Sequence, residues 1–150
     1  VTITVLAIGT IKRDASAELC TEYAKRLKTK TNIIEIDLKD ANPARLQEKE
    51  SEALLARIPK DSFLVALDGR GKQLASPELA KKMGQWQQSA RHIVFLIGGA
   101  DGHTDKLLKK ADFTLSFGAM TWPHRLARVM LLEQLYRAQQ ISAGHPYHRE

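Results

Sequence analysis

Apolar residues fall along this chain in two alternating rhythms. Residues 2–8 (TITVLAI), 33–38 (IIEIDL), 63–67 (FLVAL), 93–97 (IVFLI) and 113–117 (FTLSF) are short runs. Three of them are nearly continuous in apolar character, as strands become when both faces of their sheet are covered. Between them, apolar positions recur at three- and four-residue intervals, the period of a helix with one buried stripe. Residues 15–28 place Leu19, Tyr23 and Leu27 on one stripe, and residues 43–58 open on Pro43 and turn Leu46, Leu54, Leu55 and Ile58 inward. Ser76 and Pro77 make an N-cap and first-turn pair for a helix whose Leu79, Met83 and Trp86 share a face. The order βαβαβαβαβα predicts an α/β fold, a mostly parallel sheet with helices on both faces.

The last helix, Pro123 to about Gln140, breaks the pattern. Leu126, Val129, Met130, Leu131, Leu132, Leu135 and Tyr136 spread around most of its circumference, and a helix apolar on nearly all sides is buried on more than one. One side is expected to meet the chain's own sheet and the other a second copy, in a two-fold homodimer.

With 150 residues, 43% apolar and 27% charged, and no linker, repeat or low-complexity tract, the sequence predicts one domain over residues 1–150. The longest apolar stretches fall far short of a membrane span and no signal-like segment opens the chain, so a cytosolic protein free of membranes is expected. The lone Cys20 lies on a helix face and reads as a packed, inert thiol, in keeping with a reducing compartment. An excess of 23 Lys and Arg over 17 Asp and Glu gives a net charge of +6, which favours polyanionic partners without identifying one. No set of His, Cys, Asp or Glu has metal-ligand spacing, and no metal is expected.

In an open α/β sheet, ligands bind where loops leave the carboxyl ends of strands. Three such exits stand out: LDGRG (67–71), IGGADG (97–102) and FGAMTWPH (117–124), each rich in glycine or small residues that let backbone amides approach a ligand. Nucleotide signatures are missing. The first strand is followed by GTIKRD, with Gly9 alone, and there is no phosphate-binding GxxxxGK[ST]. A ligand held by backbone hydrogen bonds and apolar walls suits such exits; S-adenosylmethionine is one, and other small adenosines fit equally. His92 and His103 read as surface or capping residues, His124 as a cap or pocket residue, and Asp68 and Asp101 as turn formers.

The segments VLAIGT, LDGRGK, FLIGGADG, MTWPHRLARVMLLEQLYRA and the terminal HPYHRE together resemble the RlmH family, RNA methyltransferases of the SPOUT superfamily. The resemblance runs from the first strand to the last residue. It implies an S-adenosylmethionine-dependent homodimer that methylates N3 of a pseudouridine in the 23S ribosomal RNA of the large subunit, within a SPOUT-type α/β fold carrying a C-terminal trefoil knot. It also implies a cofactor pocket of Leu67, Gly98, Phe117, Gly118, Ala119, Met120, Thr121 and Trp122, the same three exits. Arg125 departs from relatives that carry an uncharged residue there. The imide N3 of a uracil ring must lose its proton before or during attack, so a base or a charge-stabilising group is needed beside it. On that ground the terminal segment is expected to lie against the cofactor pocket, in its own subunit or across the dimer. There His148 is the candidate base, Tyr147 positions the pyrimidine and Arg149 contacts phosphate or a ring oxygen. Two other functions fit the sequence: a non-catalytic α/β module that binds RNA or a nucleotide, and a SPOUT methyltransferase acting on transfer RNA.

Overall fold

Alternation within the strands divides the core in two. The computed structural model describes residues 1–149, which run β1 (Thr2–Ile8), α1 (Ala15–Arg26), β2 (Lys30–Ile36), α2 (Pro43–Ala56), β3 (Ser62–Gln73), α3 (Ser76–Ser89), β4 (His92–Ile97), α4 (Asp105–Lys110), β5 (Phe113–Ser116) and α5 (His124–Ser142). The strands form one parallel sheet in the order β2-β1-β4-β3-β5. Ile3, Val5 and Ala7 of β1 and Ile93, Phe95 and Ile97 of β4 point to the face covered by α1, α3 and α5, where Cys20, Leu79, Met83, Trp86, Leu131, Leu132 and Leu135 meet them. Leu6, Ile8, Val94 and Leu96 point the other way, onto Leu54 of α2 and Leu107 of α4. The near-continuous apolar strands are thus those covered on both sides, the α/β arrangement expected from the sequence.

Local chemistry sets the helix starts. Asp14, Asn42 and Thr104 cap α1, α2 and α4, each side-chain oxygen accepting a hydrogen bond from the backbone N–H three residues on, at 3.0, 3.1 and 3.2 Å. The expected Ser76 cap is replaced by a different arrangement. Ala75 holds the cap position, Glu78 accepts from the Ala75 N–H at 3.0 Å, and the Ser76 hydroxyl instead donates 2.6 Å to Gln134 on α5. On α1 the buried stripe passes through Cys20, leaving Leu19 exposed, while Tyr23 and Leu27 pack against the core as expected.

Two strands differ from their sequence boundaries by more than one residue. β2 runs over 30–36 instead of 33–38 because it pairs only with β1, from Thr2 opposite Lys30 to Ile8 opposite Ile36. β3 does not end at Leu67. It continues to Gln73, and Leu115 of β5 pairs with both Leu67 and Lys72, so residues 68–71 bulge out of the sheet. Gly71 makes this possible: a Cβ there would lie 2.5 Å from the Thr114 carbonyl oxygen.

Candidate active site

The β3 bulge, the loop after β4 and the loop after β5 enclose a cleft of about 960 Å³ at the carboxyl edge of the sheet. Leu67, Gly98, Phe117, Gly118, Ala119, Met120, Thr121 and Trp122 all line it. The structure therefore brings together every residue of the expected cofactor set. Gly118 has φ +112° with open space where a side chain would stand, and its backbone is held by the Ser116 hydroxyl, which accepts from the Gly118 N–H at 3.1 Å and lies 3.2 Å from its carbonyl. Gly98 is tightly seated, since a Cβ there would come 3.1 Å from the backbone of Gly102. Leu67, Ile97, Leu115 and Phe117 supply apolar wall, while Asp68 and Asp101 add acceptors at the rim. Apolar walls, exposed backbone and a few polar groups suit a molecule that is part purine and part charged amino acid.

Charged groups pin the rim in place. Arg70, on the bulge, donates to Asp68 from Nε at 2.9 Å and from Nη2 at 3.1 Å, to Asp105 of α4 at 2.9 Å, and to the His103 carbonyl at 2.9 Å. The Asp68 carboxylate also accepts from the Arg70 N–H, the turn chemistry read from sequence. Burial opposes ionisation of Asp68, yet the bonds from Arg70 win and hold its pKa below the usual carboxylate value. His103, expected at the surface, is only 1% exposed, and its Nε2 lies 3.0 Å from the Leu96 carbonyl. Burial lowers its pKa and favours the neutral ring. The loop carrying it folds over α2, where Gln47 donates to the carbonyls of Asp101 and His103 and Ser51 accepts from the Thr104 N–H. His92 is the half-buried first residue of β4.

Glu50 was not anticipated. It is 6% exposed, and a Cβ on Gly99 would meet either carboxylate oxygen at 2.9 Å, so the acid packs directly beneath the glycine loop. Burial, then Asp101 and Asp37, push its pKa up. A carboxyl whose pKa is raised on folding opposes folding once pH exceeds its unfolded value. Glu50→Gln is accordingly expected to stabilise the protein by about 1 kcal/mol at neutral pH, with the gain vanishing below about pH 4; urea unfolding at both pH values measures it.

At the cleft's other end, the first turn of α5 meets the loop after β1. His124 lines the cleft and packs on Gly9, whose positive φ (+95°) turns the chain there; a Cβ on Gly9 would lie 3.1 Å from the imidazole. Arg125 pairs with Asp14 at 3.3 Å, which gives this residue a role in joining α5 to the α1 cap. One turn further, Arg128 is buried, donating to Glu35 at 2.6 Å and to the Gly9 carbonyl at 3.1 Å.

The tail lies elsewhere. Tyr147 donates to Glu133 at 3.2 Å, His148 Nδ1 lies 3.1 Å from Arg137, and the His145 N–H donates to the Gln140 carbonyl at 2.9 Å. These partners occupy the second half of α5, and none lines the cleft. Arg149 is exposed. Within one chain no described tail residue lines that cleft, and Glu133, which holds Tyr147, lines a neighbouring cavity of about 460 Å³ together with Phe117 and Gly118. Among the described residues, no cluster of three or more His, Cys, Asp or Glu comes together as metal ligands would.

A family described as "Predicted SPOUT methyltransferase" matches residues 1–148. The chain belongs to this SPOUT methyltransferase family. It is 46% identical over 145 residues to the ribosomal RNA large subunit methyltransferase H of Rhodospirillum centenum, covering 95% of both chains. It is 46% identical over 159 residues to the protein of the same description from Rhodopseudomonas palustris strain BisB18, covering 98% of both. A probable methylase family protein of Haemophilus influenzae shares the fold with a TM-score of 0.58 at 13% identity, over 95% of this chain and 66% of that one.

Proposed function

We propose that this chain is an S-adenosylmethionine-dependent methyltransferase of large-subunit ribosomal RNA, a single-domain cytoplasmic enzyme that works as a homodimer on N3 of a pseudouridine in 23S RNA. One observation carries the proposal. The residues expected to hold the cofactor converge on one cleft, in a chain nearly half identical over its length to proteins described as ribosomal RNA large subunit methyltransferase H. S-adenosylmethionine held there supplies a methyl group on a sulfonium, an electrophile attacked in line. Leu67, Leu115 and Phe117 would grip its apolar parts, and the space that the missing side chain of Gly118 leaves would admit its polar edge. The trefoil knot of the resembling family belongs to the same reading.

Such chemistry asks for positioning more than covalent help. Tyr147, His148 and Arg149 are proposed to provide it, with the tail of one subunit serving the cleft of the other, since each tail lies along the second half of its own α5. Leu19 on α1 and Leu126 on α5 are each left exposed, as cover by a second copy would require.

The test is methyl transfer from labelled S-adenosylmethionine to intact ribosomes, free ribosomal RNA and transfer RNA. Label is expected in a large-subunit RNA and absent from transfer RNA, with incorporation falling sharply in ribosomes lacking the pseudouridine. Label confined to transfer RNA, or none at all, overturns the proposal.

A further inference from the structure

The short helix α4 starts at the rim of the cleft. The loop from Gly98 to Gly102 lines the cleft, and α4 begins three residues later at Asp105, which Arg70 of the β3 bulge holds at 2.9 Å. At about 1.5 Å per residue, the helix extends about 9 Å from that anchor. Leu107 turns wholly inward and packs with Leu54 of α2. Lys106, Lys109 and Lys110 are all exposed, and their spacings of three and four place them on one face. Among the described residues, no carboxylate pairs with any of the three. Folding does not account for this arrangement. Like charges one turn apart repel, and Lys106 stands in the first turn, where a cation opposes the helix dipole; only Lys109 and Lys110, in the last turn, complement it. The cations that line the cleft itself are already taken up, Arg70 by Asp68 and Asp105 and Arg125 by Asp14.

We propose that Lys106, Lys109 and Lys110 form a phosphate-contacting face on which the acceptor RNA strand lies as its target base enters the cleft. This rests on the proposed reading of the chain as a ribosomal RNA methyltransferase. An RNA backbone supplies the row of negative charges that the face has no partner for within its own chain, and each contact releases condensed counterions. Lysine suits the task, because its ammonium meets a phosphate as a point charge without a fixed fork geometry. Such contacts position a strand and leave the reading of bases to the cleft. The acidic rim, with Asp68 and Asp101, gives RNA no electrostatic hold of its own, so the attraction has to come from beside it. α4 also packs on the sheet face opposite α1, α3 and α5. The second copy proposed for the side of Leu19 and Leu126 therefore leaves these lysines open in each subunit.

The test is equilibrium binding of the whole protein to protein-free ribosomal RNA and to intact ribosomes over a salt series, beside steady-state methyl transfer. Lys106→Gln, Lys109→Gln and Lys110→Gln together are expected to weaken binding to both about ten- to a hundredfold at about 0.1 M salt. The slope of log K against log salt is expected to fall by about two, the share of three single-strand phosphate contacts. KM for RNA is expected to rise with the loss of binding, while kcat and the affinity for S-adenosylmethionine change by less than about threefold. Arginine at all three positions keeps the charge and is expected to bind within about threefold of wild type. Lys30→Gln, Lys39→Gln and Lys81→Gln together remove the same charge from exposed positions on other elements, and are expected to cost less than about threefold. Equal losses in the two glutamine variants would reduce the effect to net charge and overturn the inference. A loss confined to intact ribosomes also overturns it, and would assign the face to an acidic protein surface. If wild-type protein methylates large-subunit RNA and the α4 variant binds that RNA unchanged, the inference fails alone. Wild-type protein that neither binds nor methylates it overturns the underlying reading and the inference together.

Discussion

Removing residues 147–150 is expected to lower single-turnover methyl transfer by about 10²- to 10⁴-fold while changing cofactor affinity by less than about threefold. The separation of effects follows from where the two groups of residues sit. The cleft is built by the β3 bulge, the loops after β4 and β5, and the first turn of α5. The tail rests on Glu133, Arg137 and Gln140, beyond that turn. Its loss leaves the cleft lining whole, and Glu133 and Arg137 still pair with each other. Single-turnover transfer and calorimetric titration with S-adenosylmethionine separate the outcomes. Near-normal turnover would remove the tail from the mechanism, and loss of cofactor binding would make it part of the pocket. Mixing the truncated chain with a Gly98→Val chain, whose side chain would crowd the Gly102 backbone, decides which subunit's tail is used. Turnover is expected to return in the mixture, because the intact tail of the Gly98→Val subunit reaches the intact cleft of the truncated one. A tail that serves only its own cleft leaves the mixture inactive.

What could be read from sequence followed the range of the forces involved. Residues of β1 and β4 alternate between two buried faces, and this local pattern is visible as an unbroken apolar run. The caps Asp14, Asn42 and Thr104 act within three residues. The β3 bulge was misread because DGRG has turn chemistry, while the pairing that continues the strand depends on Leu115, far along the chain. His103 looked polar in a glycine-rich loop, and its burial depends on contacts with Gln47 and Ser51 of α2 that no local window contains. The lining of the cleft was legible twice over, from the glycine exits and from the family's motifs. Where the tail rests was not, because its contacts with Glu133 and Arg137 depend on how the chain turns back after α5, which no local pattern records. A signal for Arg128 did exist: a charge inside the run LARVMLL, with Leu131 and Leu132 one turn further along the same face.

That buried charge carries the largest expected stability effect in the molecule. Arg128 is 5% exposed and Glu35 33%, and their 2.6 Å contact is backed by the Arg128 bond to the Gly9 carbonyl and the Ile11 N–H bond to Glu35 at 2.7 Å. Together they tie the loop after β1 to α5 behind the cleft. Arg128→Met keeps the aliphatic bulk but strands the Gly9 carbonyl and leaves Glu35 with one backbone donor. Breaking a fully buried pair costs about 3–5 kcal/mol; because Glu35 reaches water, about 2–3 kcal/mol is expected here, measured by urea unfolding at neutral pH. The pH dependence gives an independent check. Burial alone would raise the Glu35 pKa, but the bonds from Arg128 and the Ile11 N–H outweigh it and hold the acid below its ordinary value. A carboxylate depressed on folding contributes stability that is full above its unfolded pKa, about 4.3, and is lost as pH falls through the folded one. The gap between wild type and Arg128→Met should therefore narrow in acid, as protonation of Glu35 breaks the pair in the wild type. Replacing both partners, Arg128→Met with Glu35→Met, should recover much of the loss at neutral pH, because no charge is then left without its counterpart. A gap that stays constant down to about pH 3 would assign the cost to lost packing and the orphaned Gly9 carbonyl, and not to the ion pair.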